Sequence, residues 1–267
     1  MSIHHYIPRR NKRRGISSNA NNFLLFVLSI AILLQIIYPL IDGEALRLAT
    51  ISAVYWGAGA MSLHALYSYG ARYAFTYLGF TLFFAFIVEV IGVRTSWPFG
   101  QYSYDGSLGY QILDVPIVVP FAWVMISHPL LIASRRVAPR WVFLYGGFSL
   151  MAWDLFLDPQ MVSAGRWTWV FSGPHVPYQK EIPLSNTFGW LLSGIALMAI
   201  LHMILPKERR RIGASFAAVD FFLAWTWFSG VLGNLFFFHR PGIALFGGLV
   251  YGIALAPYFI SRWLGRP

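Results

Sequence analysis

Met151-Ala-Trp-Asp154-Leu-Phe-Leu-Asp158-Pro159 sets two carboxylates four residues apart inside a run of apolar and aromatic residues and closes the run with a proline. Its reading decides the fold, because the surrounding stretch from 141 to 161 is long enough to cross a bilayer only if both acids are accepted inside it. On an α-helix, residues i and i+4 share a face about 6 Å apart, so Asp154 and Asp158 point the same way. An Asp near the centre of a spanning helix costs roughly 2.5 to 3.5 kcal/mol on insertion scales, and such a residue marks function by default. The residue before a proline disfavours α geometry, so the helix is expected to end at Asp158.

The rest of the chain supports the membrane reading. Of its residues 57% are hydrophobic and 11% charged, and the mean hydropathy is +0.59. Those values belong to an all-α, polytopic integral membrane helix bundle. Eight apolar runs are long enough to span, near 23–41, 47–69, 73–93, 114–134, 141–161, 186–205, 215–238 and 242–261. The second is weakened by Tyr55, Trp56 and His64, the fifth by its paired Asp. The first run lacks a small-residue cleavage site and is expected to be retained. Residues 1–22 read as a basic, disordered cytoplasmic arm, and 23–267 as a single transmembrane helical domain. The chain has no cysteine, which excludes disulfides, thiolate metal sites and cysteine nucleophiles.

Charge sets the expected orientation. With the N-terminus cytoplasmic, Arg47, Arg94, Arg166, Lys180 and Arg240 fall outside, and the other fifteen of the twenty Lys and Arg fall inside. Eight spans then place both termini in the cytoplasm of a prokaryotic cell, with the plasma membrane as host. The net charge of +10 therefore reports topology and attraction to anionic membrane lipids. Nucleic-acid binding is excluded, since the cations are divided among short separate loops.

Two loops on the outer side are rich in aromatic, Gly and Pro residues. One runs from Arg94 through Trp97, Phe99, Tyr102 and Tyr104 to Asp105, the other from Gly165 through Trp167 and Trp169 to Asn186 and Trp190. An aromatic belt at the headgroup level would account for about half of these residues. The alternative is a lid over an apolar cavity, because Glu89 near the end of the third span lies at the depth of Asp154 and Asp158, and Asn186 starts the sixth. Asp154 is expected to be the deeper, reactive group working with Glu89, while Asp158 shapes the helix end. His64 and His128 show no metal-ligand spacing and read as a helix-to-helix hydrogen bond. Asp220 reads as structural, Gln35 and Asn234 as helix-contact residues, and Gly57-Ala-Gly-Ala60 and Gly247-Gly248 as close-packing surfaces.

Taken together, the pieces Glu89-Val-Ile-Gly92, Trp97-Pro-Phe-Gly-Gln-Tyr102-Ser-Tyr104, Val115-Pro-Ile-Val-Val-Pro120-Phe-Ala-Trp123, Ala152-Trp-Asp154-Leu-Phe-Leu-Asp158-Pro159, Trp167-Thr-Trp169 and Ile182-Pro-Leu-Ser-Asn186-Thr-Phe-Gly-Trp190 resemble the CruF-type carotenoid 1,2-hydratase family, integral-membrane proteins of carotenoid biosynthesis. The resemblance covers about residues 85–195. One departure is Ser172–Tyr178, longer than the turn of the family pattern. The resemblance implies hydration of the terminal C1,C2 double bond of an acyclic carotenoid end group to a tertiary alcohol. It implies a lipophilic carotenoid as substrate and other carotenoid-biosynthesis enzymes as protein partners, with no metal or redox cofactor. Glu89, Asp154 and Asp158 are then the catalytic candidates. Trp97, Phe99, Tyr102, Tyr104, Trp123, Trp153, Trp167, Trp169, Asn186 and Trp190 are the candidates for contact with substrate.

Two other classes remain. Asp154-x-x-x-Asp158 is also a spacing with which a membrane prenyltransferase holds Mg²⁺ on a diphosphate, although the outer side offers few cations for phosphates. A proton or small-molecule transporter would use buried acids as a relay, but would set them near midplane. Retinal on a Schiff base is excluded, because Lys12, Lys180 and Lys207 all lie outside the spans. The orientation predicts that a C-terminal alkaline phosphatase fusion is inactive and a C-terminal green fluorescent fusion bright; the reverse pattern would overturn it.

Overall fold

The computed structural model describes residues 16–206, 210–211 and 213–265. Among them are eight α-helices: α1 Ser18–Ile37, α2 Gly43–Tyr69, α3 Ala71–Thr95, α4 Val118–Val137, α5 Val142–Ser163, α6 Leu184–Ile204, α7 Ala217–Leu232 and α8 Pro241–Trp263. Six are long and apolar enough to cross a membrane, and α2 and α5 are not among the six. These are the two runs weakened in the sequence by their polar residues. All eight runs nevertheless form helices, and the chain is an all-α polytopic membrane bundle.

The differences are local. The arm expected over 1–22 lies mostly outside the described residues, as do Lys207, Arg209 and Arg266. Its last part is ordered: Ser17 caps α1, its hydroxyl accepting from the Ala20 N–H at 3.2 Å, so Ser18–Asn22 form the first turn. Residues 115–116 form a strand rather than the start of the fourth span. The fifth helix does not stop at Asp158 but runs through Pro159 to Ser163. Proline removes one N–H and frees the carbonyl four residues back, that of Leu155. The Gln179 side chain donates to that carbonyl at 3.0 Å, so the helix continues with no orphaned acceptor.

α4 and α5 are the inner helices, buried along most of their length. Close packing at glycine aligns α5 on α6. A Cβ on Gly147 would fall 2.6 Å from the Ile195 backbone nitrogen, and one on Gly194 would fall 3.0 Å from the Gly147 Cα. With no hydrophobic drive between helices in lipid, such small-residue seams let backbones approach and gain dispersion contact. Gly57 does the same for α2 and α4, since its Cβ would meet Met125.

At the end of the bundle where α3 and α5 finish and α4 and α6 begin, the two long loops form short ladders. β1 (Tyr102–Tyr104) pairs antiparallel with β4 (Trp167–Trp169). β2 (Gln111–Ile112) pairs with β3 (Val115–Pro116), and β5 (His175–Val176) with β6 (Gln179–Pro183). Strand periodicity of two turns Tyr102, Tyr104, Trp167 and Trp169 to one face and leaves Ser103 and Thr168 exposed on the other. At the opposite end Asp220 is paired with Arg262 at 2.6 Å and accepts from Tyr258 at 2.5 Å, which ties α7 to α8. His64 and His128 bond to each other at 2.9 Å between α2 and α4.

Gln179→Ala should lower the apparent melting temperature in detergent by several degrees, because an unsatisfied buried carbonyl costs about 1 to 3 kcal/mol. An unchanged melting curve would mean that Pro159 is accommodated some other way.

Candidate active site

Glu89 is placed on α3 by a helix that continues past it to Thr95, and on that face the next turn carries Gly92. A Cβ at Gly92 would lie 2.6 Å from the Tyr102 hydroxyl and 2.9 Å from the Phe99 ring. Only a glycine there lets the loop fold back over the carboxylate. Gly189 on α6 serves the same loop from the other side, its missing Cβ making room for Phe99 and the Pro98 carbonyl. The loop enters through a left-handed Ser96 and turns at Gly100, whose φ is 87°.

The folded loop gives Glu89 three donors. Its Oε2 accepts from Tyr102 at 2.6 Å and Tyr104 at 2.8 Å, and its Oε1 from the Trp123 indole at 3.2 Å. Burial first, and then the Glu89 charge, push both phenols well above the usual tyrosine range, so they remain O–H donors. The second acidic group stands on α5. Asp158 Oδ1 accepts from the Trp167 indole at 3.1 Å, and its Oδ2 from the Asn186 amide. The same amide donates to Asp154 Oδ2 at 3.4 Å, while Asp154 Oδ1 has no hydrogen-bond partner. The i, i+4 spacing thus brings both Asp to one amide on α6.

Glu89, Asp158 and Asn186 open on one cavity. Seven of its eighteen lining residues are aromatic: Phe99, Tyr102, Tyr104, Trp123, Trp167, Trp169 and Trp190. Trp123 and Trp190 are stacked with centroids 4.4 Å apart and planes 10° apart, and Trp169 is fixed by donating to the Phe99 carbonyl at 3.2 Å. No lysine or arginine lines the cavity among the described residues.

Four expected placements differ. Asp158 is not at a helix end, because α5 runs on past Pro159. Asp158 faces the cavity and Asp154 is not on its wall, the reverse of the division expected from depth alone. Trp97 is 62% exposed, and Trp153 lines a neighbouring cavity although its ring meets Trp190 edge-on at 6.2 Å. Thr50, Val54, Leu157 and Met161 also line the site and were not singled out in the sequence. Thr50 and Val54 come from α2, far from the acids in sequence. They are ordinary span residues with no local signal, whereas Leu157 sits beside Asp158 and was masked by its apolar run.

The bisanhydrobacterioruberin hydratase of Haloarcula japonica is 32% identical over 185 residues, which is 66% of this chain and 52% of that protein. The chain thus spans about half the length of this curated relative. No solved structure matches it significantly. A family described as carotenoid biosynthesis protein matches residues 49–255, which include the whole acidic and aromatic cluster. By that match over most of its length, this chain belongs to the carotenoid biosynthesis protein family.

Proposed function

We propose that the protein hydrates the terminal C1,C2 double bond of an acyclic carotenoid end group to a tertiary alcohol. The observation that carries this reading is the convergence of Glu89, Asp158 and Asn186 on one cavity walled by indoles and phenols. The name of the Haloarcula relative, a hydratase, supports the same chemistry.

Hydration of a trisubstituted alkene starts with a proton delivered to C2, which leaves a tertiary cation at C1. Water then bonds to C1, and its surplus proton goes to a base. One water is consumed and no electron is exchanged, so the balance asks for no redox cofactor and no metal. Asp154 and Asp158 hold one proton between them, because two negative charges on one amide in a water-poor site repel each other. Asp158, on the cavity wall, hands that proton to C2 and takes back the one that the attacking water releases. Glu89, with its oxygens saturated by three donors, acts as the fixed carboxylate opposite the cation. Indole and phenol faces add roughly 0.5 to 2 kcal/mol each to cation stability. Asn186 acts by holding the two Asp in register. The charge asymmetry of the loops supports a plasma-membrane setting with both termini cytoplasmic.

Expression in a host that makes an acyclic carotenoid should yield a pigment heavier by one water, with an unchanged visible spectrum because the conjugated system is untouched. An unaltered mass would sink the hydratase reading. Mg²⁺-dependent consumption of an isoprenyl diphosphate would replace it with prenyl transfer, which the cation-free cavity wall disfavours.

Asp158→Asn and Glu89→Gln should each lower product by about 10² to 10⁴-fold at unchanged protein yield, measured by pigment mass per unit of membrane protein. Asp154→Asn should also reduce it, since the pair then has no second carboxyl to share the proton. Near-wild-type product from Asp158→Asn would falsify its assignment as donor.

A further inference from the structure

A second, larger cavity lies between α1, α2, α5 and α7. Thr50, Val54, Leu157 and Met161 line both it and the acidic cavity, so no more than one layer of side chains separates the two.

The character of the wall identifies the occupant. Most of its polar side chains are spent on the protein itself. Gln35 accepts from the Trp225 indole at 2.8 Å, Thr226 donates to the Leu223 carbonyl at 2.9 Å, and the Asn234 amide donates to Gly230 at 2.9 Å. Asn234 Oδ1 is an unpartnered acceptor, and Gln160 and Ser229 also face the cavity. No charged side chain lines it among the described residues, and the larger part of the wall is apolar, including Ile36, Ala53, Met125, Phe156, Phe228 and Leu232. Such a chamber takes a long apolar molecule.

The chamber also has a side facing the surroundings. Ile36 is 44% and Phe228 49% exposed, on α1 and α7 respectively. Between these helices runs the Gln35 to Trp225 hydrogen bond, and beyond their ends Tyr38 meets Phe238 edge-on at 6.2 Å. α7 ends there in a π-helical turn, Gly233–Phe237, a distortion that recurs at functional sites.

We propose that this second cavity is the polyene chamber of the same site. The rod-like apolar body of an isoprenoid lies in it, entering from the lipid between α1 and α7, and its end group passes Thr50 and Leu157 to reach Asp158 and Glu89. The proposal rests on the hydratase reading for the end group, but the chamber itself is tested by binding alone.

The experiment fills the chamber without touching the acids. Ala53→Phe and Ser229→Phe each place a ring in it, and Leu249→Phe, on an exposed face of α8, is the control. Each variant is expressed in a host making a forty-carbon acyclic carotenoid and purified in mild detergent. Size-exclusion profiles check folding. Pigment bound per protein and pigment mass in the membrane are both read. Both filled variants should lose bound pigment and hydrated product at least tenfold, while Leu249→Phe matches the wild type. Asp158→Asn should keep its pigment and make no product. Wild-type pigment binding in a folded Ala53→Phe or Ser229→Phe protein would overturn the chamber, as would a wild type that carries no pigment. A wild type that carries pigment of unaltered mass, with binding lost in the filled variants, would remove the hydratase reading and leave the chamber standing.

Discussion

Three buried carboxyls in an apolar bundle are the constraint on which the rest of the structure depends. Each takes a group that water would solvate and sets it where only the protein can supply donors. Glu89 is answered by two phenols and an indole, Asp158 by an indole and an amide. None of these donors carries charge, so these hydrogen bonds are not ion pairs. The donors on β1 and β4 come from loops that would otherwise have no reason to fold over the helix ends. Their aromatic rings wall the site with low-polarity surface, which strengthens electrostatic interactions inside it.

Bringing the donors to the acids needs backbone close to backbone. Gly92 and Gly189 admit the loop that carries Phe99 and Tyr102. Gly147 and Gly194 draw α5 against α6, which carries Asn186 within reach of both Asp. Gln179, by accepting the role of the N–H that Pro159 lacks, lets α5 continue so that Asp158 remains on a helix. A proline in the middle of a functional helix is thus matched by one side chain from the second loop.

The two cavities divide the work by polarity. The smaller one gathers the acidic groups Glu89 and Asp158, and the larger one has no charged side chain on its wall among the described residues. A transporter relay would distribute ionisable groups along a path; here Asp220 and the histidine pair lie elsewhere and are bound to local partners.

Much of this was legible in the sequence. The length of the apolar runs located the eight helices of the described residues, because a long apolar segment in lipid satisfies its backbone internally as a helix. Glu89, Asp154, Asp158 and Asn186 stood out as polar groups at comparable depth, and the aromatic loops stood out by composition. The alternation in Tyr102-Ser-Tyr104 and Trp167-Thr-Trp169 was there to be read, but a three-residue strand has no meaning until its partner is known. Which Asp faces the cavity, that Trp97 stays outside and Trp153 turns to the other chamber, and that Thr50 and Val54 from α2 complete the wall were decided by tertiary structure. The physical reason is that a span fixes the depth of a residue, while its bearing around the helix axis acquires a destination only when neighbouring helices pack against it. Depth is written along the chain; direction comes from contacts between residues far apart in it.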